Sequence, residues 1–319
     1  MQNLEFHINF LAYRGFGHPE KPSQTTNRIR YSTVSSAEDQ QMLHDIRIAD
    51  AIHAALREDI GVGDITSLTC IPDSVTATAR FIAKSSGIVS GIGIAAQVLT
   101  AVDPAIKTDI LINDGAPVAK GDIIAVTHGP ARSMLTAERT ALNFLQRMSG
   151  IATTTHTYVA ATLGTKAIIL DTRKTAPGLR ATDKLAVTHG GGSNHRFGLY
   201  DMAMLKNNHI TACGSITAAV AALRATTNVP IEVEVRTFDE LNEALSLNVE
   251  RIMLDHFSID DMRRAVEIAA GRTPLEASGN MTLERIPSVA ATGIDYISVG
   301  ALTHSVTALD ISFTFDPTH

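Results

Sequence analysis

IEVEVRTFDELNEALSLNVERIMLD, residues 231–255, decides how the second half of the chain is organised. It begins with the apolar run IEVEV (231–235) and ends with the run RIML (251–254) and an aspartate. Between them, Thr237 and Glu240 have the spacing of a capping box, which predicts that a helix begins there. Two short apolar runs joined by a helix are typical of a parallel β–α–β unit. The stretch therefore predicts a parallel α/β sheet.

The same pattern recurs along the second half of the chain. Its apolar runs are AIILD (167–171), MAML (202–205), IEVEV (231–235), RIML (251–254), PLEA (274–277) and YISV (296–299). A closed α/β barrel needs eight such units, whereas this chain contains six. We therefore expect an open, incomplete α/β barrel of about six parallel strands.

Each apolar run ends beside a residue that is charged or that can approach a phosphate. In chain order these residues are Arg173 and Lys174, Lys206, Glu234, Asp255, Ser278 and Gly279, and Gly300. All strands of a parallel sheet direct their carboxyl ends to one face, which is where such folds place their chemistry. We therefore expect these residues to meet in one pocket.

The first half of the chain predicts an α/β sandwich. A helical pattern over 39–59 is followed by strand-like runs at 76–84, 107–112 and 122–127. Residues 131–164 then predict one or two long helices, with a break at Ser149–Gly150.

The last apolar run, LDISFTF (309–315), alternates in polarity and has no helix after it, so we expect it to pair with the first sheet. The predicted organisation is a poorly ordered extension (1–37), a sandwich domain (38–147) that includes 306–319, and an open-barrel catalytic domain (148–305).

Composition excludes several classes of protein. The 319 residues are 45% hydrophobic and carry a formal charge of −6, which argues against a general nucleic-acid binder. The two cysteines, Cys70 and Cys213, do not suggest a disulfide framework or a four-cysteine zinc site, so we expect a cytoplasmic protein. No apolar run is long enough to span a bilayer, which predicts no membrane partner.

The segment DTRKTAPGLRATDKLAVTHGGGSNHR (171–196) is the densest cationic stretch of this acidic chain. Arg173 and Lys174 follow a strand, and His195 and Arg196 follow three glycines, which favours anion binding. Arg180 and Lys184 lie on a predicted helix, where they are either surface charges or anion ligands.

His189 and His195 also allow a zinc interpretation. No third histidine or cysteine stands at ligand spacing nearby, which makes a zinc site the weaker alternative. Close approach of the glycine backbone to a ligand is the stronger one.

Glu234 and Asp255 end adjacent strands and are candidates to bind magnesium or ribose hydroxyls. Glu232 lies on the same strand face as Glu234 and could instead pair with a neighbour.

Lys206 is either a Schiff-base nucleophile of an aldolase-like barrel or a cation for a phosphate. Ser278, Gly279, Asn280 and Gly300 precede predicted helices or turns, so their backbone N–H groups are candidate phosphate ligands.

Eight segments, in order, resemble the quinolinate phosphoribosyltransferase family and cover nearly everything after the first 40 or so residues. They are EDIGVGDITS (58–67), TAERTALNFLQRMSGIAT (136–153), DTRKTAPGLR (171–180), GGGSNHRFGLYDMAMLKNNH (190–209), EVEV (232–235), LDHF (254–257), LEASGN (275–280) and ISVGALTHS (297–305).

The resemblance implies an α/β sandwich followed by an open α/β barrel, assembled as a homodimer or larger oligomer. It implies transfer of phosphoribosyl from phosphoribosyl pyrophosphate to quinolinate with Mg²⁺, giving nicotinate mononucleotide, pyrophosphate and carbon dioxide. By the resemblance, quinolinate is bound by Arg173, His195, Arg196 and a neighbouring subunit's Arg139, and the substrate site is also lined by Lys174 and Lys206. The ribose and metal are matched to Glu234 and Asp255. The phosphate loops are matched to Ser278, Gly279, Asn280 and Gly300.

Two positions depart from the family pattern. Asn207 stands where many relatives have an acid, and His256 where asparagine is usual. Four other functions remain open: a nicotinate phosphoribosyltransferase, a molybdate-linked relative, an aldolase-like barrel that uses Lys206, and a phosphate-binding scaffold without catalysis.

Overall fold

The structure, a computed structural model, describes residues 37–316, with side chains from residue 44 onward. Residues 1–36 of the extension predicted at 1–37 lie outside the described residues, and Ala37 begins the first helix. The described part of the first half contains three helices and five strands, and the strands pair antiparallel. They are α1 (Ala37–Ile60), α2 (Ile65–Cys70), β1 (Thr76–Ala83), β2 (Gly87–Ile88), α3 (Ile92–Val102), β3 (Lys107–Ile110), β4 (Pro117–Val118) and β5 (Ile123–Pro130).

The second half contains the alternating pattern expected from the apolar runs. After the long helix α4 (Ala131–Ala160) come β6 (Ile168–Leu170), α5 (Arg180–His189), β7 (Ala203–Leu205), α6 (Asn207–Cys213), α7 (Ile216–Thr226), β8 (Ile231–Val235), α8 (Phe238–Ser246), β9 (Arg251–Asp255), α9 (Ile259–Ala269), β10 (Leu275–Ser278), α10 (Ile286–Ala290), β11 (Tyr296–Ser298), α11 (Ala301–His304) and β12 (Ile311–Phe315).

The six parallel strands of the second half form one sheet in the order β6-β11-β10-β9-β8-β7. A closed barrel would also pair β6 with β7, but these two strands are the free ends of the sheet. The predicted open α/β barrel of six strands is confirmed. The capping box predicted at Thr237 and Glu240 is also present. The structure adds two further caps, because Ser215 and Ser258 accept hydrogen bonds from the first turns of α7 and α9.

The C-terminal strand belongs to the first sheet, whose order is β12-β1-β5-β3. Strand β12 pairs antiparallel with β1 and places Phe313 opposite Phe81, with their ring centroids 4.7 Å apart. Alternation in this strand buries one face and leaves the other accessible, as the sequence pattern implied. The limits set at 38–147 and 148–305 stay predictions, and α4 runs through the junction between them.

The predicted break at Ser149–Gly150 is wrong, because α4 is continuous over 30 residues. Gly150 serves a close approach of two backbones. A Cβ atom on Gly150 would lie 2.1 Å from the carbonyl oxygen of Thr307 and 3.0 Å from the Cα of Ala308. The C-terminal segment crosses the helix here, and the backbone N–H of Leu309 donates to the carbonyl of Gln146.

Gly150→Ala is expected to lower the free energy of unfolding by about 1–3 kcal/mol, because the added methyl group overlaps backbone that cannot rotate away. Gly93→Ala is the control, since a Cβ there has its nearest neighbour at 3.9 Å in a helix with ordinary φ. The control is expected to be neutral or to stabilise by about 0.4–1 kcal/mol. Urea denaturation of both variants measures the difference, and equal midpoints would refute the close-approach explanation.

The loop after β10 also differs from expectation. Ser278, Gly279 and Asn280 were expected to lead directly into a helix or turn, but α10 begins only at Ile286. The guanidinium of Arg285 donates to the carbonyls of Gly279 and Phe257 at 3.0 and 3.1 Å, which holds the intervening residues in a turn. Among residues 37–316, no helix is both long and apolar enough to cross a membrane.

Candidate active site

A cavity of about 780 Å³ lies at the carboxyl ends of the barrel strands. All predicted site residues except Arg139 line it: Arg173, Lys174, His195, Arg196, Lys206, Glu234, Asp255, Ser278, Gly279, Asn280 and Gly300. Arg139 is exposed on α4 and is not among the lining residues. The structure therefore brings the strand-end residues together, while the role of each remains a prediction.

Three cations of this cavity have no carboxylate partner in the described part of the chain. Arg173, Lys174 and Arg196 form no ion pair there, and Nε of Arg173 is buried without a hydrogen-bond acceptor. Arg196 donates to the carbonyl of Met202 at 3.0 Å. Burial lowers the pKa of Arg196, and the nearby charge of Arg173 lowers it further. Buried donors and crowded positive charge both favour binding of an anion.

His195 reaches the cavity from the segment after α5 that lies beside β6. Its ring is buried, and Nε2 lies 3.0 Å from an oxygen of Glu232 and 3.4 Å from one of Glu276. Glu276 is itself held by Nη1 of Arg251 at 3.0 Å and by the hydroxyl of Ser298 at 2.6 Å. The histidine thus stands between the cavity and a buried charged cluster.

This cluster favours a positive charge on His195. Burial opposes the charge, but the two glutamates outweigh it and raise the pKa of His195 to about 9. The backbone N–H of Arg196 lies 2.7 Å from Nδ1 and favours an unprotonated Nδ1. The two carboxylates together prevail over that one neutral donor because their charges act in a buried site, although burial and Glu276 raise the pKa of Glu232.

A second buried ion pair holds the backbone of His195. Nζ of Lys184 lies 2.5 Å from Oδ1 of Asp171, and both side chains are fully buried. Lys184 also donates to the carbonyl of His195, and the N–H of His195 donates to Asp171. Burial raises the pKa of Asp171 to about 6 and lowers that of Lys184, against their mutual attraction. Both sequence alternatives for Lys184, a surface charge and an anion ligand, are therefore wrong.

Arg180 is likewise outside the cavity lining. Its guanidinium donates to the hydroxyl of Thr175 at 3.2 Å and to the carbonyl of Phe197 at 3.3 Å. These contacts join the two loops that carry Arg173 and Arg196. Arg180 therefore shapes the cavity wall without lining it.

Glu234 and Asp255 stand at the ends of the paired strands β8 and β9. Arg236, which the sequence analysis did not single out, contacts both: its Nε is 3.1 Å from Asp255 and its Nη2 is 3.7 Å from Glu234. Lys206 lies 4.0 Å from Glu234. Both carboxylates therefore have cationic side chains within 4.0 Å.

The small residues of the cavity floor allow its loops to lie close to charged neighbours. A Cβ on Gly279, where φ is +100°, would lie 2.9 Å from the ring of His256. A Cβ on Gly300 would lie 3.3 Å from Cδ of Lys174. Larger residues at either position would obstruct the wall of the cavity.

The structure does not place His189 with His195 in a metal site. Nδ1 of His189 lies 2.8 Å from the hydroxyl of Ser90, in the first half of the chain. Within residues 44–316, the cluster of three potential metal ligands consists of His195, Glu232 and Glu276. The zinc interpretation that paired the two histidines is wrong.

Sequence reasoning missed the support beneath the cavity. Glu276 and Arg251 were read as parts of apolar strands, although both are charged residues inside such runs. A charge within an apolar strand needs a buried partner, and this is the signal that could have identified them.

Two family models match the two halves of the chain. A family model described as the quinolinate phosphoribosyl transferase N-terminal domain matches residues 64–149, and one described as the C-terminal domain matches 151–314. Quinolinate phosphoribosyltransferase (decarboxylating) 1b of Nicotiana tabacum is 45% identical over 286 residues, covering 83% of this chain and 81% of that protein.

Solved structures agree with the family match. Nicotinate-nucleotide pyrophosphorylase from Francisella tularensis is 41% identical with a TM-score of 0.82, and the match covers 86% of this chain and 97% of that one. NadC from Streptococcus pyogenes is 39% identical with a TM-score of 0.82, over 85% and 98% of the two chains. The chain belongs to the quinolinate phosphoribosyltransferase family.

Proposed function

We propose that the protein transfers the phosphoribosyl group of phosphoribosyl pyrophosphate to quinolinate and releases carbon dioxide. The products are nicotinate mononucleotide and pyrophosphate, as in NAD biosynthesis. The observation that carries this proposal is the unpaired cationic group of Arg173, Lys174 and Arg196, with a buried guanidinium nitrogen that lacks an acceptor. Quinolinate has two adjacent carboxylates, which match fixed cations better than the single carboxylate of nicotinate does.

The charges of the cavity suit both halves of the reaction. Loss of pyrophosphate leaves positive charge on the ribose ring, which Glu234 or Asp255 can stabilise electrostatically. The pyridine nitrogen of quinolinate then bonds to the ribose carbon and becomes cationic. When the neighbouring carboxylate leaves as carbon dioxide, the electron pair of the broken C–C bond remains on the ring carbon beside this cation. That pair then forms a C–H bond with a proton taken from solvent. Arg173 and Arg196 contribute by holding the ring in place.

The carboxylate pair fits Mg²⁺. Hard oxygen donors from one or two carboxylates, together with substrate phosphates, are its usual ligands in proteins. Glu234 and Asp255 offer such oxygens at adjacent strand ends, and both already contact the cationic side chain of Arg236. Bound there, magnesium would neutralise the charge of the pyrophosphate group. Ser278, Gly279, Asn280 and Gly300 are the proposed phosphate loops.

The aldolase-like alternative is less well supported. A Schiff-base lysine needs a desolvated amine, whereas the side chain of Lys206 is 53% exposed beside Glu234. In this proposal Lys174 and Lys206 instead attract the phosphate groups of the second substrate.

Activity with carboxyl-labelled quinolinate tests the proposal. Purified protein with magnesium and phosphoribosyl pyrophosphate is expected to release labelled carbon dioxide and form nicotinate mononucleotide in equal amounts. Turnover of nicotinate without turnover of quinolinate would overturn the assignment. Borohydride trapping on Lys206 would support the aldolase-like alternative.

The proposal includes a homodimer in which Arg139 enters the site of the other subunit. Arg139 is exposed on α4, one turn after Thr136, whose hydroxyl donates to Asp64 at 3.0 Å. Exposed apolar side chains flank Asp64, since Val62 is 105% and Ile65 is 77% exposed. An apolar patch beside an exposed arginine suits a subunit interface.

Mixing inactive subunits tests the shared site. Arg139→Ala and Arg173→Ala proteins are each expected to be strongly impaired, while co-refolded mixtures should regain about a quarter of the wild-type activity. This follows because half of randomly assembled dimers are mixed, and each mixed dimer has one intact site out of two. Native mass spectrometry confirms that mixed dimers form. Recovery no greater than that of the separate variants, with mixed dimers present, would contradict a composite site.

Quinolinate affinity should depend on pH through His195. Its raised pKa means that the cation persists below about 9 and is lost as pH rises through that value. Calorimetry between pH 6 and 10 should therefore show affinity retained past pH 7 and declining near pH 9. A decline centred near pH 6.5 would mean that the glutamates do not support the charge.

The compartment also remains a proposal. We propose the cytoplasm, because Cys70 and Cys213 are both free and exposed, as a reducing compartment permits. Plant relatives are named as chloroplastic and mitochondrial enzymes. Microscopy of the full chain with a fluorescent C-terminal fusion tests the location.

A further inference from the structure

Four elements of the barrel meet beneath the candidate active site. Glu232 comes from β8, Arg251 from β9, Glu276 from β10, and His195 from the segment beside β6. Both glutamate side chains are fully buried, and that of His195 is 5% exposed. Two carboxylates, a guanidinium and an imidazole therefore share a water-poor space. The paired strands β8, β9 and β10 fix the glutamates and the arginine relative to one another.

We propose that Glu232 and Glu276 are positioning residues for His195, holding Nε2–H within the barrel so that the Nδ1 edge of an imidazolium meets a substrate carboxylate. This inference rests on the proposed function, because it assigns the anchor for the dicarboxylate substrate. The glutamates act through the histidine and do not line the cavity themselves.

The two glutamates differ in how their charges are compensated. Glu276 has one oxygen on the hydroxyl of Ser298 and the other on Arg251, so its charge is largely matched. Glu232 accepts no hydrogen bond from the described residues, and its carboxylate meets Nε2 of His195 at 3.0 Å. A buried carboxylate without hydrogen bonds is costly unless a cation faces it. A protonated His195 supplies that cation and brings the cluster to two negative and two positive charges.

The other ring nitrogen is then available to the ligand. Nδ1 lies 2.7 Å from the N–H of Arg196. A proton on Nδ1 turns it from an acceptor into a donor, so Nδ1–H and the Arg196 N–H become two neighbouring donors without an acceptor. A carboxylate satisfies both, which is the arrangement expected for a charge-assisted anion site.

The same three side chains could in principle hold a divalent cation. Arg251 argues against this, because its guanidinium already lies 3.0 Å from the Glu276 oxygen that faces His195. An added metal ion would stand beside that fixed positive charge. Metal analysis is therefore part of the test: a stoichiometric ion that is present in the purified wild-type protein and lost in Glu232→Gln would overturn the proposal.

Binding measurements on Glu232→Gln separate a positioning role from a general structural one. Calorimetry with quinolinate is expected to show a Kd increased by roughly 10- to 100-fold. This is the range for losing one hydrogen bond to a charged group, here the bond from Nδ1–H of His195 to the substrate carboxylate. Binding of phosphoribosyl pyrophosphate should change by less than about twofold, since its proposed ligands lie elsewhere in the cavity. Glu267→Gln makes the same change on the exposed side of α9 and should leave both affinities unchanged. Unchanged quinolinate binding, or equal loss for both ligands, would refute the positioning role.

A measurement on the wild-type protein covers the case in which Glu232→Gln does not fold. Nitrogen NMR of histidine-labelled protein, with His195 assigned by comparison with His195→Gln, reports the protonation of each ring nitrogen. At neutral pH we expect a proton on Nε2 with and without ligand and, because the glutamates favour the imidazolium, a proton on Nδ1 as well, retained when quinolinate is saturating. An unprotonated Nε2 would overturn the proposal.

The outcomes distinguish this inference from the proposed function. If quinolinate binds through His195 and Glu232 but is not converted, the reaction assignment fails and the positioning role stands. If quinolinate is converted while Glu232→Gln binds it with wild-type affinity, the positioning role alone fails.

Discussion

Asp171→Asn is expected to lower the free energy of unfolding by about 3–5 kcal/mol, the cost of leaving one partner of a buried ion pair uncompensated. The substitution keeps the size of the side chain but leaves the fully buried ammonium of Lys184 without its counter-charge. Because the same pair bonds the N–H and carbonyl of His195, quinolinate binding should weaken as well. Urea denaturation at neutral pH measures the first effect and calorimetry the second.

An exposed pair provides the control for this prediction. Arg263 and Asp260 are 2.6 Å apart, with side chains 53% and 92% exposed. Asp260→Asn makes the same chemical change and should cost less than about 1 kcal/mol. Adding Lys184→Met to Asp171→Asn should recover part of the lost stability by removing the orphaned charge. A cost for Asp171→Asn as small as that of the control would show that the buried pair is not ionised.

Arg173→Ala is expected to reduce kcat/KM for quinolinate by roughly 30- to 1,000-fold, corresponding to about 2–4 kcal/mol for one desolvated charge contact. The reason is the buried Nε of Arg173, which lacks an acceptor in the described residues and is free to bond a substrate carboxylate. Steady-state kinetics with each substrate varied in turn measures the effect. The KM for phosphoribosyl pyrophosphate should change little.

Two further variants calibrate that result. Arg173→Lys keeps the charge but loses the planar fork of donors, so it should recover only part of the activity. Arg263→Ala removes an exposed arginine on α9 and should retain wild-type kinetics. Wild-type kcat/KM in Arg173→Ala would mean that Arg173 does not contact the substrate.

The features that sequence predicted best are those that local periodicity determines. The runs at 231–235 and 251–254 became paired strands β8 and β9, and Thr237 began the helix between them. The carboxyl ends of these strands had to share one face, because parallel pairing fixes their direction. This is why the sequence alone predicts that Glu234 and Asp255 lie close together.

Two kinds of feature were not predictable in this way: how far a side chain lies from the mouth of the barrel, and contacts between segments distant in the sequence. Glu232 and Glu234 point to the same strand face, but they differ by about 6.6 Å along the strand. That distance separates the interior of the barrel from its mouth, and only the tertiary structure assigns each residue to one of them. Gly150 was misread for the same reason, because the backbone that it accommodates lies more than 150 positions away in the sequence.

The pairing of β1 with β12 joins an early and a late segment of the chain, and this limits when the first sheet can form. Strand β1 is complete soon after the ribosome has passed residue 83, but its neighbour β12 ends at residue 315. During most of translation, β1 therefore has an open edge that another chain could occupy. The first sheet is complete only after residues 311–315 have also been synthesised. Deletion of residues 310–319, or insertion of a tag before them, would therefore disrupt the sheet that contains β1.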